Sequence, residues 1–134
     1  MLEGAHRFPR QDQVIYGRPA AEVLKELAAA WGLSRLMIVT TASLANGLAA
    51  RIAQALGELC VGVFAGTSAH SPREGVIAGA VLARRREADL LVAVGGGSAI
   101  DAAKVMQLCL WADLHHVADL DPYRAARGAS IGCA

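Results

Sequence analysis

Three short apolar runs alternate with longer segments in which apolar residues recur every three or four positions. The runs are Leu36–Thr40, Cys60–Phe64 and Leu90–Val94. Runs that are apolar throughout are typical of strands covered on both faces of a parallel sheet. Each run is followed by a segment with helical spacing, which predicts right-handed crossovers and a mostly parallel sheet with flanking helices. The expected fold class is therefore α/β and Rossmann-like.

Capping residues mark several helix ends. Pro19 opens a helix that runs to Trp31, and Gly32 follows it as a left-handed terminator. Residues 71–74 read Ser-Pro-Arg-Glu, a complete capping box that predicts a helix start with Pro72 at its first position.

Further elements come from spacing alone. One helix is predicted over residues 44–56, where leucine or isoleucine recurs every fourth position. Another begins at Ser98 and runs to about Trp111, and a short one covers residues 122–127. Residues 6–8 and 14–16 could pair as a small hairpin at the sheet edge. Met37, Met106, Trp31 and Trp111 are assigned to the core.

Composition points to one folded domain. The chain has 134 residues, of which 54% are hydrophobic and 19% charged. Thirteen basic and twelve acidic side chains nearly cancel, so neither nucleic acid nor an anionic membrane is expected as a partner. The arginine run 84–86 falls in the last turn of a predicted helix, where cations suit the helix dipole.

Cysteine usage and the amino terminus indicate a cytoplasmic protein. Cys60, Cys109 and Cys133 are odd in number and widely spaced, which favours reduced thiols. Residues 1–11 contain no apolar segment resembling a signal peptide. The longest uncharged stretch, residues 36–50, is too short and too polar to span a bilayer.

The turn after the third run is the leading candidate for chemistry. Gly95, Gly96 and Gly97 follow the strand directly, and a helix begins at Ser98. Such a turn directs backbone N–H groups and the positive end of the helix dipole at whatever lies above it, which suits phosphate. Each glycine costs about 0.5–1 kcal/mol relative to alanine, so three in a row suggest close approach of a ligand. A nucleotide is expected there.

The residues after the glycines have a structural interpretation as well. Ser98 and Asp101 match a capping box, a role that is compatible with ligand binding. Neither G-x-G-x-x-G nor a P-loop motif is present. Ser98, Asp101, Lys104 and Gln107 form a polar stripe on a helix otherwise apolar on most sides, which favours a cleft there. Asp101 and Lys104 can pair along it.

A second cluster of titratable residues is interpreted as a surface connection. It contains Asp113, His115, His116, Asp119 and Asp121. Adjacent histidines usually diverge, and a catalytic metal needs about three converging protein ligands, so no metal site is assigned. Asp121 is expected to cap the helix that follows it. His70 could contact a nucleotide, although an exposed loop histidine is the commoner outcome.

With these residues in place, the chain resembles the N-terminal domain of the iron-containing (group III) alcohol dehydrogenase family. Residues 95–104, Gly-Gly-Gly-Ser-Ala-Ile-Asp-Ala-Ala-Lys, match that family's G-G-G-S-x-x-D-x-x-K stretch without a gap. Residues 14–17 and 36–40 support the resemblance, which covers residues 8–127. Residues 62–66 and 70–72 are most similar to the maleylacetate reductase branch.

The resemblance implies hydride transfer between NAD or NADP and an alcohol–carbonyl pair. It implies that Gly95, Gly96, Gly97 and Ser98 hold the cofactor pyrophosphate and that Asp101 lies toward the nicotinamide. Many members follow the threonine matched by Thr40 with an aspartate that contacts the adenosine ribose. Thr41 stands at that position here, so the resemblance implies that Thr40 and Thr41 are cofactor-binding residues, while the choice between NAD and NADP is open.

Two departures limit what the resemblance implies. The maleylacetate reductase branch usually lacks the aspartate matched by Asp101, so the substrate is an alcohol or a keto acid of unspecified identity. The family's metal ligands, for iron or zinc, lie in a helical C-terminal domain that these 134 residues do not contain.

We therefore expect residues 1–134 to be one NAD(P)-binding domain, a fragment of a two-domain, homo-oligomeric enzyme. A noncatalytic nucleotide-binding or interaction module is the alternative. A lyase-type or sugar-phosphate enzyme with the same nucleotide half also stays open.

Overall fold

The protein is an α/β domain with one parallel sheet. A computed structural model describes residues 15–66 and 72–124. Its strands are β1 (Leu36–Thr40), β2 (Cys60–Phe64) and β3 (Leu90–Val94), and they lie in the order β2-β1-β3 with both pairings parallel. The predicted fold class and all three strands are confirmed.

Helices connect the strands and flank the sheet. They are α1 (Ala20–Trp31), α2 (Ala42–Ala45), α3 (Leu48–Leu56), α4 (Pro72–Arg85), α5 (Gly97–Trp111) and α6 (Asp121–Arg124), with 3-10 turns at Gly57–Leu59 and Val117–Leu120. The predicted start of α4 at Pro72 is confirmed, as is the left-handed Gly32 after α1, with φ 70°. Ser71 and most of the predicted N-terminal hairpin lie outside the described residues.

The central strand β1 separates two hydrophobic cores. All five of its residues are fully buried. Met37 and Val39 pack with residues of α4 and α5, whereas Leu36 and Ile38 pack with residues of α1 and α3. Since side chains alternate along a strand, one buried strand supplies both cores.

The single helix predicted over residues 44–56 is wrong. The structure breaks it between Ala45 and Leu48, at Asn46 and Gly47. Both residue types have low helix propensity, and Gly47 adopts φ −112° and ψ −107°, which is outside the helical region. The break rotates Leu48 outward to 44% exposure, and Ala49 is buried instead.

Two of the four residues assigned to the core are exposed. Met37 and Met106 are fully buried, as predicted, but Trp31 is 51% exposed and Trp111 48%. Each tryptophan is the last residue of its helix, α1 or α5.

Helix α5 is held against α4 by close packing and by one arginine. A Cβ at Gly79 would lie 2.7 Å from both the Sδ and the Cε of Met106, so any larger residue would require the Met106 side chain to move. The Nη2 of Arg84 donates hydrogen bonds of 2.8 Å to the carbonyl oxygens of Cys109 and Leu114. These contacts fix the helix that follows the glycine turn.

Two further sequence expectations concern cysteines and membranes. Cys60 and Cys109 are free thiols, as expected. Among residues 15–66 and 72–124, no helix combines the length and apolar character needed to cross a bilayer.

Candidate functional site

The glycine turn lies beside the end of the central strand. Thr40, the last residue of β1, pairs with Val94, the last residue of β3. Phe64, which ends β2, pairs with Val39. The carboxyl ends of the strands therefore meet at one edge of the sheet, which is where open α/β sheets bind their ligands.

Thr40 connects the two strands through its side chain. Its Oγ1 donates a hydrogen bond of 2.8 Å to the carbonyl oxygen of Val94, and Thr40 is fully buried. The sequence assigned Thr40 to the cofactor site by resemblance. In the structure its hydroxyl is directed at the backbone that leads into Gly95.

The three glycines occupy different environments. Gly95 has φ +139°, and a Cβ there would lie 3.2 Å from Leu44 Cδ1 and 3.4 Å from Ala99 Cβ. This residue is required by backbone conformation and by packing. A Cβ at Gly96 or Gly97 would meet no atom within 4 Å among the described residues. These two positions face open space and are exposed.

Helix α5 begins one residue earlier than predicted. Gly97 is its first residue and Gly96 its N-cap, with no side-chain capping bond. The predicted capping box of Ser98 and Asp101 is therefore wrong, since Ser98 lies inside the first turn and cannot act as the N-cap. The local reason is that the glycine backbone closes the first turn, with the Ile100 amide bonded to the Gly96 carbonyl at 3.2 Å.

This start leaves a group of amides facing the carboxyl edge. The amides of residues 97–99 precede the first intrahelical bond, and such amides have no acceptor within their own helix. They carry the positive end of the helix dipole. Together with the open space over Gly96 and Gly97, they form a cradle that can accept a phosphate group.

Two hydroxyls follow β1 at the same edge. Thr41 Oγ1 and Ser43 Oγ lie 3.0 Å apart within hydrogen-bonding distance. The resemblance implied a cofactor contact for Thr41, whereas Ser43 was not singled out from the sequence. The Thr-x-Ser spacing directly after a buried strand is the signal that could have identified the pair.

The polar stripe on α5 divides into two parts. Ser98 and Asp101 are exposed near the glycine turn, whereas Lys104 and Gln107 line a groove beside β3. That groove also contains Ile100, which is 42% exposed. The predicted burial of α5 on most sides is thus wrong at Ile100, because β3 is the outer strand among residues 15–66 and 72–124 and none of these residues covers this side of the helix.

The predicted pairing of Asp101 with Lys104 is not found. Ion pairs within residues 15–66 and 72–124 include Arg18–Glu26 and Arg73–Asp121.

The cluster around the two histidines forms a local turn. Nε2 of His115 lies 2.6 Å from Oδ1 of Asp113. Oδ2 of Asp119 accepts hydrogen bonds of 3.0 Å from the amides of His115 and His116. These bonds hold the pKa of Asp119 below its ordinary value. The interpretation as a surface connection agrees with this geometry, but Asp121 is the first residue of α6 with helical φ −59° and ψ −41°, so its predicted role as the cap of that helix is wrong.

Metal-ligating residues do not converge in the described part of the chain. Residues 15–66 and 72–124 include no group of three or more His, Cys, Asp and Glu placed to hold a metal ion. The residues described therefore do not supply the ligands that a bound iron or zinc requires. His70 lies outside the described residues.

Sequence comparison matches this chain to known enzymes. Residues 11–130 match the profile of the family described as iron-containing alcohol dehydrogenase. Maleylacetate reductase 2 of Cupriavidus pinatubonensis is 36% identical over 104 residues, which cover 78% of this chain and 28% of that protein. A maleylacetate reductase of Sphingobium indicum is 40% identical over 77 residues, which cover 58% of this chain and 22% of that protein.

Solved structures give the same relationship. The crystal structure of maleylacetate reductase from Rhizobium sp. strain MTP-10005 superposes with a TM-score of 0.62 at 31% identity, covering 70% of this chain and 27% of its own. The enzyme from Agrobacterium tumefaciens gives a TM-score of 0.59 at 34% identity, covering 66% and 25%. The chain thus spans about a quarter of the relatives it matches. The chain belongs to the iron-containing alcohol dehydrogenase family.

Proposed function

We propose that this chain is the nucleotide-binding domain of an NAD(P)-dependent oxidoreductase that interconverts an alcohol and a carbonyl compound. Family membership supports the reaction class, and the geometry of the glycine turn supports the binding role. The observation that carries the proposal is the open space over Gly96 and Gly97 in front of the first amides of α5.

The pyrophosphate of the cofactor binds at this turn. Amides of residues 97–99 donate hydrogen bonds to its oxygens, and the helix dipole favours its negative charge. Side chains larger than hydrogen at positions 96 and 97 would occupy the space that the phosphates need. Thr40 acts indirectly, because its bond to the Val94 carbonyl fixes the strand end from which the turn departs.

Neighbouring side chains contact the sugars. Ser98 and Asp101 are exposed on the first turns of α5. The Asp101 carboxylate can only accept hydrogen bonds when ionised, which suits a ribose hydroxyl better than a phosphate. Thr41 and Ser43 offer hydroxyls at the end of the adjacent strand, at the position expected for the adenosine ribose.

The reaction is a hydride transfer from the dihydronicotinamide to the carbonyl carbon of the substrate, with a proton added to its oxygen. A metal bound in the complete enzyme would polarise that oxygen as a Lewis acid. The residues described here bind and orient the cofactor. Because the relatives are named maleylacetate reductases, a keto acid of that type is the first substrate to test.

The proposal is tested by titrating the full chain with NADH and NADPH while following nicotinamide fluorescence. We expect saturable binding by at least one cofactor. Gly96→Ala and Gly97→Ala should weaken it at least about tenfold, since the new methyl groups displace the phosphates. Both variants should unfold at the same or higher urea concentration, because neither methyl group meets a protein atom. Saturable binding by neither cofactor, or binding unchanged in both variants, would overturn the proposal.

A further inference from the structure

Leu44 of α2 packs against the glycine turn from the end of the neighbouring strand. Its Cδ1 lies 3.2 Å from the point where a Gly95 side chain would begin, and the Cβ of Ala99 lies 3.4 Å from the same point. Apart from the chain neighbours of Gly95, these are the nearest side-chain atoms among the described residues. Ala99 belongs to α5 and is fully buried, so Leu44 is the contact that joins the turn to α2.

The same turn of α2 carries the two hydroxyls proposed to contact the adenosine ribose. Thr41 is the residue before α2, and its side chain makes no capping hydrogen bond. Its Oγ1 lies 3.0 Å from the Oγ of Ser43 instead. The amides of Leu44 and Ala45 both donate hydrogen bonds of 3.1 Å to the Thr41 carbonyl oxygen. Because these bonds hold Thr41, Ser43 and Leu44 in one helical turn, a displacement of Leu44 moves both hydroxyls.

Helix α2 depends on external packing for its position. It has four residues, and a helix this short is not stable in isolation. The break at residues 46–47 separates it from α3, so α3 does not extend it as one rigid helix. Its first two residues are exposed, whereas Leu44 and Ala45 are half-buried. Since Leu44 is the larger of these two side chains, we expect it to supply most of the apolar contact that anchors α2.

We propose that Leu44 is a positioning residue that sets the distance between the hydroxyls of Thr41 and Ser43 and the amides of residues 97–99. This inference rests on the proposed function, in which the hydroxyls contact the adenosine ribose and the amides bind the pyrophosphate. These two parts of the cofactor are joined covalently, so one molecule fills both subsites only when their separation matches the ligand. The Leu44 side chain has no polar atom, and it acts through the two segments that it joins.

This role predicts that the loss of affinity depends on whether the ligand spans both subsites. Adenosine diphosphate reaches both, whereas inorganic pyrophosphate reaches only the glycine turn and adenosine reaches only the hydroxyls. Shortening Leu44 allows α2 to shift relative to Gly95, so the spanning ligand loses the advantage of a fixed separation. A residue that only stabilised the glycine turn would instead weaken adenosine diphosphate and pyrophosphate by the same factor.

The experiment follows the backbone amide resonances of the full chain during titration with each of these three ligands. Shifts at residues 97–99 report pyrophosphate binding, and shifts at Thr41 and Ser43 report adenosine binding. We expect Leu44→Ala to weaken adenosine diphosphate at least about tenfold and to leave the affinity for inorganic pyrophosphate within about twofold of the parent value. Leu44→Met nearly conserves the side-chain volume and should restore the affinity for adenosine diphosphate.

Two further variants control for folding and for general loss of apolar contact. Leu48→Ala is the matched control, because Leu48 begins α3 beyond the break and is 44% exposed. It should change neither affinity. Leu44→Val shortens the side chain by one carbon, so it makes the same comparison at a smaller cost in stability and replaces the alanine variant if that one does not fold.

Failure of the positioning role and failure of the proposed function give different results. If the parent chain binds both adenosine diphosphate and pyrophosphate, but Leu44→Ala weakens them equally or weakens neither, the positioning role is overturned and the proposed function is kept. If neither ligand produces a saturable shift at residues 97–99 of the parent chain, both are overturned.

Discussion

The hydroxyl of Thr40 and the carbonyl of Val94 join the ends of two adjacent strands at 2.8 Å, across 54 positions of sequence. Both residues are buried, at 0% and 7% exposure. Gly95 begins the glycine turn immediately after this bond. The strand end that supports the phosphate cradle is therefore positioned by a side chain from the neighbouring strand.

Replacing Thr40 tests this positioning. Thr40→Val keeps the shape of the side chain but removes the donor to Val94, and we expect a loss of about 0.5–1.5 kcal/mol in unfolding free energy. Cofactor affinity should fall in parallel, because the turn loses its fixed start. Urea unfolding and NADH titration measure the two effects. The neighbouring Thr41→Val is the stability control, since the Thr41 hydroxyl contacts only an exposed serine among the described residues.

Gly95 and Gly97 should respond oppositely to alanine. Gly95→Ala forces a side chain into φ +139° beside Leu44, so we expect a loss of about 1–3 kcal/mol. Gly97→Ala lies in the first turn of α5 with open space around it, and its higher helix propensity should add up to about 1 kcal/mol. Thermal and urea unfolding of both variants check the signs. Equal destabilisation by the two substitutions would contradict the assigned environments.

Thr41 should set the preference between the two nicotinamide cofactors. Thr41→Asp places a carboxylate near the proposed site of the adenosine 2′ position, where it repels a 2′-phosphate and can accept a bond from a 2′-hydroxyl. We expect NADPH to bind at least about tenfold more weakly than in the parent chain, with NADH affinity kept or improved. Thr41→Asn, which lacks the charge, serves as the matched control. Equal weakening of both cofactors would show that this residue does not face the ribose.

Arg84 should stabilise the end of α5. Arg84→Met retains much of the apolar stem but removes both hydrogen bonds to the Cys109 and Leu114 carbonyls. Because the donor is charged, we expect a loss of about 1.5–3 kcal/mol in unfolding free energy. Arg85→Met is the control, since Arg85 is an exposed neighbour in the same helix turn. Matching losses in both variants would mean that general charge, and not these bonds, is responsible.

Burial of Cys109 should make stability fall at alkaline pH. Burial raises the pKa of this thiol, since the thiolate is poorly solvated in the core. The unfolded chain therefore loses the proton first, and stability decreases as pH rises above the ordinary thiol pKa. Urea unfolding from pH 7 to 10 should show this decrease, and Cys109→Ala should reduce it. Iodoacetamide at pH 8 should modify Cys109 only in urea, as read by peptide mass mapping.

Local patterns predicted much of the fold and part of the site. The bounds of all three strands and the start of α4 at Pro72 agree with the structure. These features depend on neighbouring residues, such as an uninterrupted apolar run or a proline at the first turn of a helix. The glycine turn could be predicted for the same reason, because three consecutive glycines between a strand and a helix rarely have a role other than forming such a turn.

Two predictions from the sequence were wrong because a regular residue pattern continued across a helix boundary. The fourfold spacing of leucines ran through Asn46 and Gly47, which break the helix. The Ser98–Asp101 spacing fitted a capping box, but Gly96 and Gly97 had already started α5. In both cases glycine residues set where a helix begins or ends. The spacing of the side chains does not show this, because glycine has no side chain.

By itself, the sequence determined the order of elements, the parallel α/β class, the glycine turn and the family resemblance, because each is encoded by residues close together in the chain. Only the tertiary structure decided that β1 lies between β2 and β3 in the described sheet, and that Trp111 and Ile100 are exposed. It also decided that Thr40 donates to Val94 and that the space over Gly96 and Gly97 is open. These properties depend on contacts between residues distant in sequence. The order of three apolar strands of equal length in a sheet cannot be read from their sequences alone.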